Sequence, residues 1–205
     1  MPGPSHPRSL ASAASSVVVL VITAVLLTVA GCSTDAAGQQ SQTGSEDGYV
    51  AGDQQFTKIA PQKRQPAPEI SGESVTGDDV ISSADYADSV QVINVWGSWC
   101  APCRKEAPDL QRASEQTADV AQFIGINSRD SSKAQAAAFV RAFEIDYPSI
   151  YDPNGSQVVK YTDLPPSAIP STLIIDKQGR IAVRVLGTVS EKSLVDMIED
   201  VAAGK

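Results

Sequence analysis

The sequence predicts an α/β domain, a central mixed sheet flanked by helices and preceded by an N-terminal β-hairpin. Three observations carry this. The apolar runs at 90–96 and 120–126 have strand length, and each is followed by a helical pattern. Two later apolar runs are separated only by Lys177-Gln178-Gly179, and an amphipathic stretch closes the chain. Strand–helix–strand–helix alternation calls for parallel pairing, while the late turn adds an antiparallel pair.

The elements follow in order. Pro66-Ala67-Pro68 leads into a short run broken at Gly72 and Gly77, which predicts a small hairpin. Residues 82–88 suit one helical turn. Val90 to Trp96 is a buried strand, and a helix is expected from Cys100 to about Gln116, with Pro108 removing one of its backbone hydrogen bonds. After the second strand, Ala136, Phe139, Val140 and Phe143 recur at i, i+3, i+4, i+7. Leu173 to Asp176 and Arg180 to Leu186 flank the glycine-containing turn, and the turn favours a hairpin because Gly179 tolerates positive φ. Leu194, Met197, Ile198 and Val201 share one face of a closing helix, capped by Ser190.

The chain divides into three parts. In residues 1–31, Arg8 precedes an apolar run from Val17 to Val29, shorter than the about 20 residues a bilayer span needs. A basic start, a short apolar run and small residues at its end read as a secretory signal peptide. Val29-Ala30-Gly31-Cys32 resembles the lipobox of bacterial lipoproteins, which implies lipidation of Cys32 and attachment to the membrane. Residues 32–62 are rich in Gln, Ser, Gly, Thr and Asp and are expected to form a flexible tether with a span of roughly 30 Å. Residues 63–205 have the length of one domain.

Composition excludes several chemistries. The only histidine, His6, lies within the expected signal, so the remaining chain has no Ser-His-Asp or Cys-His catalysis available. The formal net charge of −8 lacks the basic footprint of a nucleic-acid binder. With Cys32 lipidated, two thiols remain, in Trp99-Cys100-Ala101-Pro102-Cys103, where a strand gives way to a helix. Such a pair serves thiol exchange, metal ligation or a static clasp. Two thiolates without further Cys or His leave a tetrahedral metal under-ligated, and closing a four-residue loop gains little entropy. No metal or cofactor is expected.

Residues 95–108, Val-Trp-Gly-Ser-Trp-Cys-Ala-Pro-Cys-Arg-Lys-Glu-Ala-Pro, together with Ile169-Pro170-Ser171-Thr172, resemble the TlpA/ResA/CcmG branch of the thioredoxin superfamily. The likeness implies a thioredoxin fold outside the cytoplasmic membrane and disulfide oxidoreductase activity, with Cys100 and Cys103 as the redox-active pair. Cys100 is then the nucleophile, favoured as thiolate at a helix N-terminus, and Cys103 the resolving thiol. Pro170 matches the family's proline after a cis peptide bond, which presents Ile169 to the substrate. Trp99 and Pro102 are expected at the substrate-facing rim and Trp96 in the core. Glu106 matches a family carboxylate that assists the thiols; the alternative is an exposed Glu favoured by the helix dipole. Asn94 stands where thioredoxins proper carry a buried acid, which gives Glu106 more weight. The likeness further implies a reductant of extracytoplasmic protein disulfides, with apocytochrome c as client and a membrane thiol-electron transporter as electron source. An oxidant or isomerase of secreted proteins is the alternative reading. A copper-binding module is a third; carriers of related fold use C-x-x-x-C with histidine, and this sequence has no such cysteine spacing and no histidine beyond His6 in the expected signal.

Overall fold

The computed structural model describes residue 3, residues 49–50 and residues 55–205. Arg8, the 17–29 run and Cys32, on which the signal and lipid-anchor expectations rest, lie outside them. All described residues from Tyr49 onward belong to one folded unit.

A seven-stranded mixed sheet forms its centre. The strands are β1 (Tyr49–Val50), β2 (Gln55–Lys58), β5 (Val90–Trp96), β6 (Ala121–Ser128), β7 (Ser149–Asp152), β8 (Ser171–Ile175) and β9 (Ile181–Leu186), in spatial order β1-β2-β9-β8-β5-β6-β7. β3 (Ser71–Glu73) and β4 (Val80–Ser82) form the separate N-terminal hairpin. β5 pairs parallel to β6 and antiparallel to β8, so the expected mixture of directions meets at this strand. Every β5 residue is buried, and Val90, Val92, Ile93 and Val95 are wholly inaccessible. Burying each such side chain contributes about 1.5–3 kcal/mol, and the two polar residues of this doubly covered strand, Gln91 and Asn94, are hydrogen-bonded.

Helices α1 (Ala101–Gln116), α2 (Lys133–Ala142) and α3 (Glu191–Ala202) contribute Ala107, Phe139 and Leu194 to the apolar cluster on one sheet face, with Val92, Trp96 and Phe123. The other face buries Ile93, Val95, Ile124 and Leu173 against Ile70, Ile81 and Tyr161 from the hairpin region and the connection before β8. The Ser190 hydroxyl accepts from the Ser193 N–H and caps α3.

Two findings differ from the sequence reading. The expected tether, 32–62, contains β1 and β2, and β2 pairs along its length with β9. The polar composition misleads there because an edge strand is held mainly by backbone hydrogen bonds, with Phe56 packing against the core. The folded part therefore begins before residue 63. β7 is also additional: four residues after Pro148 are too short for a periodic signal, and parallel pairing with β6 holds them.

Candidate active site

The C-terminal end of β5 delivers the dithiol. After Trp96 the chain turns at Gly97, with the Cys100 N–H donating to the Gly97 carbonyl at 3.1 Å, and α1 starts at Ala101. Cys100 is its N-cap residue, and Pro102 occupies the first turn, where a missing N–H costs nothing. Cys100 and Cys103 are joined by a disulfide with Cα atoms 5.3 Å apart. The Cys103 N–H points at Cys100 Sγ, 3.2 Å away, so a helix-terminal donor is in place to stabilise negative charge on that sulfur. Cys100 is 4% and Cys103 1% exposed.

Antiparallel pairing of β8 with β5 brings the residues before Ser171 to the same end of the sheet. There the Ile169–Pro170 bond is cis, and the Ile169 carbonyl oxygen lies 3.8 Å from Cys100 Sγ. Pro170 is buried and its carbonyl accepts from the Gly187 N–H at 2.9 Å. Trp99 and Pro102 are exposed beside the disulfide, and Ile169 is half-buried.

Glu106 lies one turn beyond Cys103 on α1 and is 2% exposed, which rules out the solvated-helix alternative. Its Oε1 accepts from Asn94 Nδ2 at 3.3 Å and its Oε2 from the Val189 N–H at 3.1 Å. Burial pushes its pKa up from 4.5 to about 8; the two hydrogen bonds pull it down and the Asp109 charge adds a smaller rise. Asn94 also donates to Thr172 Oγ1 at 3.2 Å, so the amide ties the carboxyl to β8. The Tyr147 phenol is shifted upward as well, chiefly by burial and secondarily by Glu106. A carboxyl with a pKa near that of a thiol is suited to exchanging protons with one.

Trp96 is 2% exposed and stacks on Phe139 with ring centroids 4.5 Å apart. Trp99 is 56% exposed, yet its indole N–H donates to the Ser128 carbonyl at 3.3 Å. The turn between them is latched by Asp130, which accepts from the Ser98 N–H at 3.0 Å, the Ser98 hydroxyl at 2.6 Å and Asn127 Nδ2 at 2.5 Å. Sequence reasoning missed Asp130 and Val189, and it named Thr172 only within the Ile169-Pro170 motif, without its bond to Asn94. A signal for Asp130 does exist, since it follows the carboxyl end of a parallel strand, where open α/β sheets place their sites. Among the described residues there is no group of three or more His, Cys, Asp or Glu arranged to hold a metal ion.

Known proteins are similar to this chain in sequence and fold. A crystal structure of a DsbF homologue from Corynebacterium diphtheriae is 41% identical, covers 71% of this chain and 92% of its own, and superimposes with a TM-score of 0.68. A secreted thiol-disulfide isomerase from Corynebacterium glutamicum is 35% identical over 72% of this chain and 92% of its own, with a TM-score of 0.69. The thiol:disulfide interchange protein HelX of Rhodobacter capsulatus is 29% identical, covering 67% of this chain and 76% of its own. A family model described as AhpC/TSA family matches residues 64–184, which include Cys100, Cys103, Glu106 and Pro170. The chain belongs to the AhpC/TSA family, as a thiol–disulfide oxidoreductase of thioredoxin fold.

Proposed function

We propose that the protein is an extracytoplasmic reductant of client protein disulfides, carried to the membrane surface by the signal peptide 1–31 and held there by lipid on Cys32. The observation that supports this best is the meeting, at one end of the sheet, of the Cys100–Cys103 pair, the Ile169 carbonyl and the buried Glu106. Among the described residues no helix is long and apolar enough to cross a membrane.

In the reduced protein the Cys100 thiolate attacks a client disulfide. An S–S bond forms between Cys100 and the client, the client's own S–S bond breaks, and the departing client thiolate takes a proton. Cys103 then loses its proton to the Glu106 carboxylate, directly or through one water, and attacks Cys100 Sγ. This releases the second client thiolate and leaves the Cys100–Cys103 disulfide, so two electrons pass to the client. Backbone groups of Ile169 and the exposed faces of Trp99 and Pro102 hold the client chain beside the sulfur, while the buried Pro170 sets the path of Ile169. A membrane thiol-electron transporter returns the pair to the dithiol. Apocytochrome c, whose haem-binding cysteines must be reduced, is the client class assigned.

A second reading as an isomerase or oxidant is favoured by the likeness to the secreted thiol-disulfide isomerase from Corynebacterium glutamicum. The reduction potential separates them: a value near −270 mV supports the reductant and one near −120 mV the oxidant. The roles are tested by trapping. Cys103→Ser is expected to accumulate clients as mixed disulfides on Cys100, and equal trapping by Cys100→Ser would overturn the assignment.

A further inference from the structure

We propose that the groove between Trp99 and Arg104, floored by Phe139, docks the client segment beside the reacting cysteine and reads a carboxylate in it. The inference rests on the proposed reaction of Cys100 with protein disulfides, and it names a feature of the client that this reaction leaves open.

The groove has a volume of about 490 Å³ and opens next to Ser98 and Trp99, the two residues before Cys100. Ile169 and Pro170 come to Cys100 from β8, whereas Arg104 and Phe139 are presented by α1 and α2. A polypeptide bonded through sulfur to Cys100 is thus within reach of both.

Its walls are prepared for a ligand. Trp99 is 56% exposed but not free to turn, because its N–H is bound to Ser128 and its ring lies over Gly97. A Cβ at Gly97 would come within 2.7 Å of the indole nitrogen, so only glycine permits this packing. An exposed aromatic that has already lost its rotamer freedom offers apolar area at low entropic cost. The Arg104 guanidinium is stacked 5.8 Å from the Phe139 ring centroid and 5.2 Å from that of Phe143. Among the described residues its one side-chain hydrogen bond is Nη1 to the Ser98 carbonyl at 3.5 Å, and it pairs with no carboxylate there. Stacking orients the planar cation while leaving N–H edges available.

Charge selects the occupant. Asp130 also lines the groove, but its two oxygens are taken by three donors from Ser98 and Asn127. Asp130 is 3% exposed, so Arg104 is the charged group of the lining that faces solvent with hydrogen-bonding capacity to spare. A client segment that places an apolar side chain on Trp99 and a carboxylate near Arg104 complements both.

The test measures second-order rates of the reduced full-length protein with disulfide-bonded peptides whose cysteine is flanked by Glu, Gln or Lys. Hydroxyethyl disulfide, neutral and without flanks, reports the chemistry alone. The Glu-to-Lys rate ratio is expected to fall about two- to fivefold in Arg104→Gln, the range of a partly exposed ion pair. It should fall further in Arg104→Glu. Lys105→Gln removes the same charge one residue away, outside the groove lining, and is expected to leave the ratio close to wild type. Equal changes in Arg104→Gln and Lys105→Gln, or none in either, with hydroxyethyl disulfide still reduced, overturn the docking proposal alone. Failure to reduce hydroxyethyl disulfide overturns the proposed function, and the docking proposal with it.

Discussion

Glu106 follows Cys103 by three residues and so shares its helix face, but its titration is set by what covers that face. The buried carboxyl has its pKa raised from 4.5 to about 8. Between those values the folded state binds more protons than the unfolded one, so stability is full below about pH 4.5 and is lost as pH rises towards 8. The slope approaches about 1.4 kcal/mol per pH unit for one such group. Chemical denaturation from pH 4 to 9 should show this decline in the wild type and a flatter curve in Glu106→Gln. The same variant should slow release of client from the mixed disulfide at neutral pH, measured by stopped-flow with a labelled peptide. Asn94→Asp places a second carboxyl against Glu106. Like charges at hydrogen-bond distance cannot both ionise easily, so the pH profile of exchange is expected to spread into two steps. A profile unchanged from wild type would sever Asn94 from the chemistry.

At the scale of elements, the strand-to-helix junction depends on a latch that neither element contains. Asp130, after β6, holds the Ser98 N–H and hydroxyl, and Ser128 holds the Trp99 indole. Asp130→Ala leaves the Ser98 N–H and the buried Asn127 amide without this acceptor, which costs about 1–3 kcal/mol. The expected result is a lower denaturant midpoint and altered tryptophan fluorescence, since Trp99 loses its fixed surroundings. β5 and α1 were legible because length and periodicity are written in side chains: seven buried residues in one case, and Cys103, Ala107 and Leu110 on one buried face in the other. β2 was not legible, because its pairing with β9 runs through backbone groups that every residue shares.

Across the whole molecule, β2 covers the edge of β9 and adds Phe56 to the core. Deleting residues 1–62 should therefore destabilise the protein by about 1–3 kcal/mol relative to deleting 1–54, through lost apolar burial and an exposed strand edge. Thermal unfolding of the two truncations measures this, and equal midpoints would show that β2 is not part of the stable fold. The site has a comparable division. Cys100, Cys103 and the start of α1 are neighbours in the chain, so the sequence by itself determined that two sulfurs lie one turn apart at a helix N-terminus. Trp99 and Pro102 came with them for the same local reason. Only the tertiary structure decided what surrounds the pair. Asn94 reaches Thr172 across 78 residues and Glu106 reaches Val189 across 83, and the Ile169 carbonyl meets Cys100 only through the register of β8 on β5. Burial turns an ordinary glutamate into a group that titrates near a thiol, and burial comes from packing between distant segments rather than from any local pattern of residues.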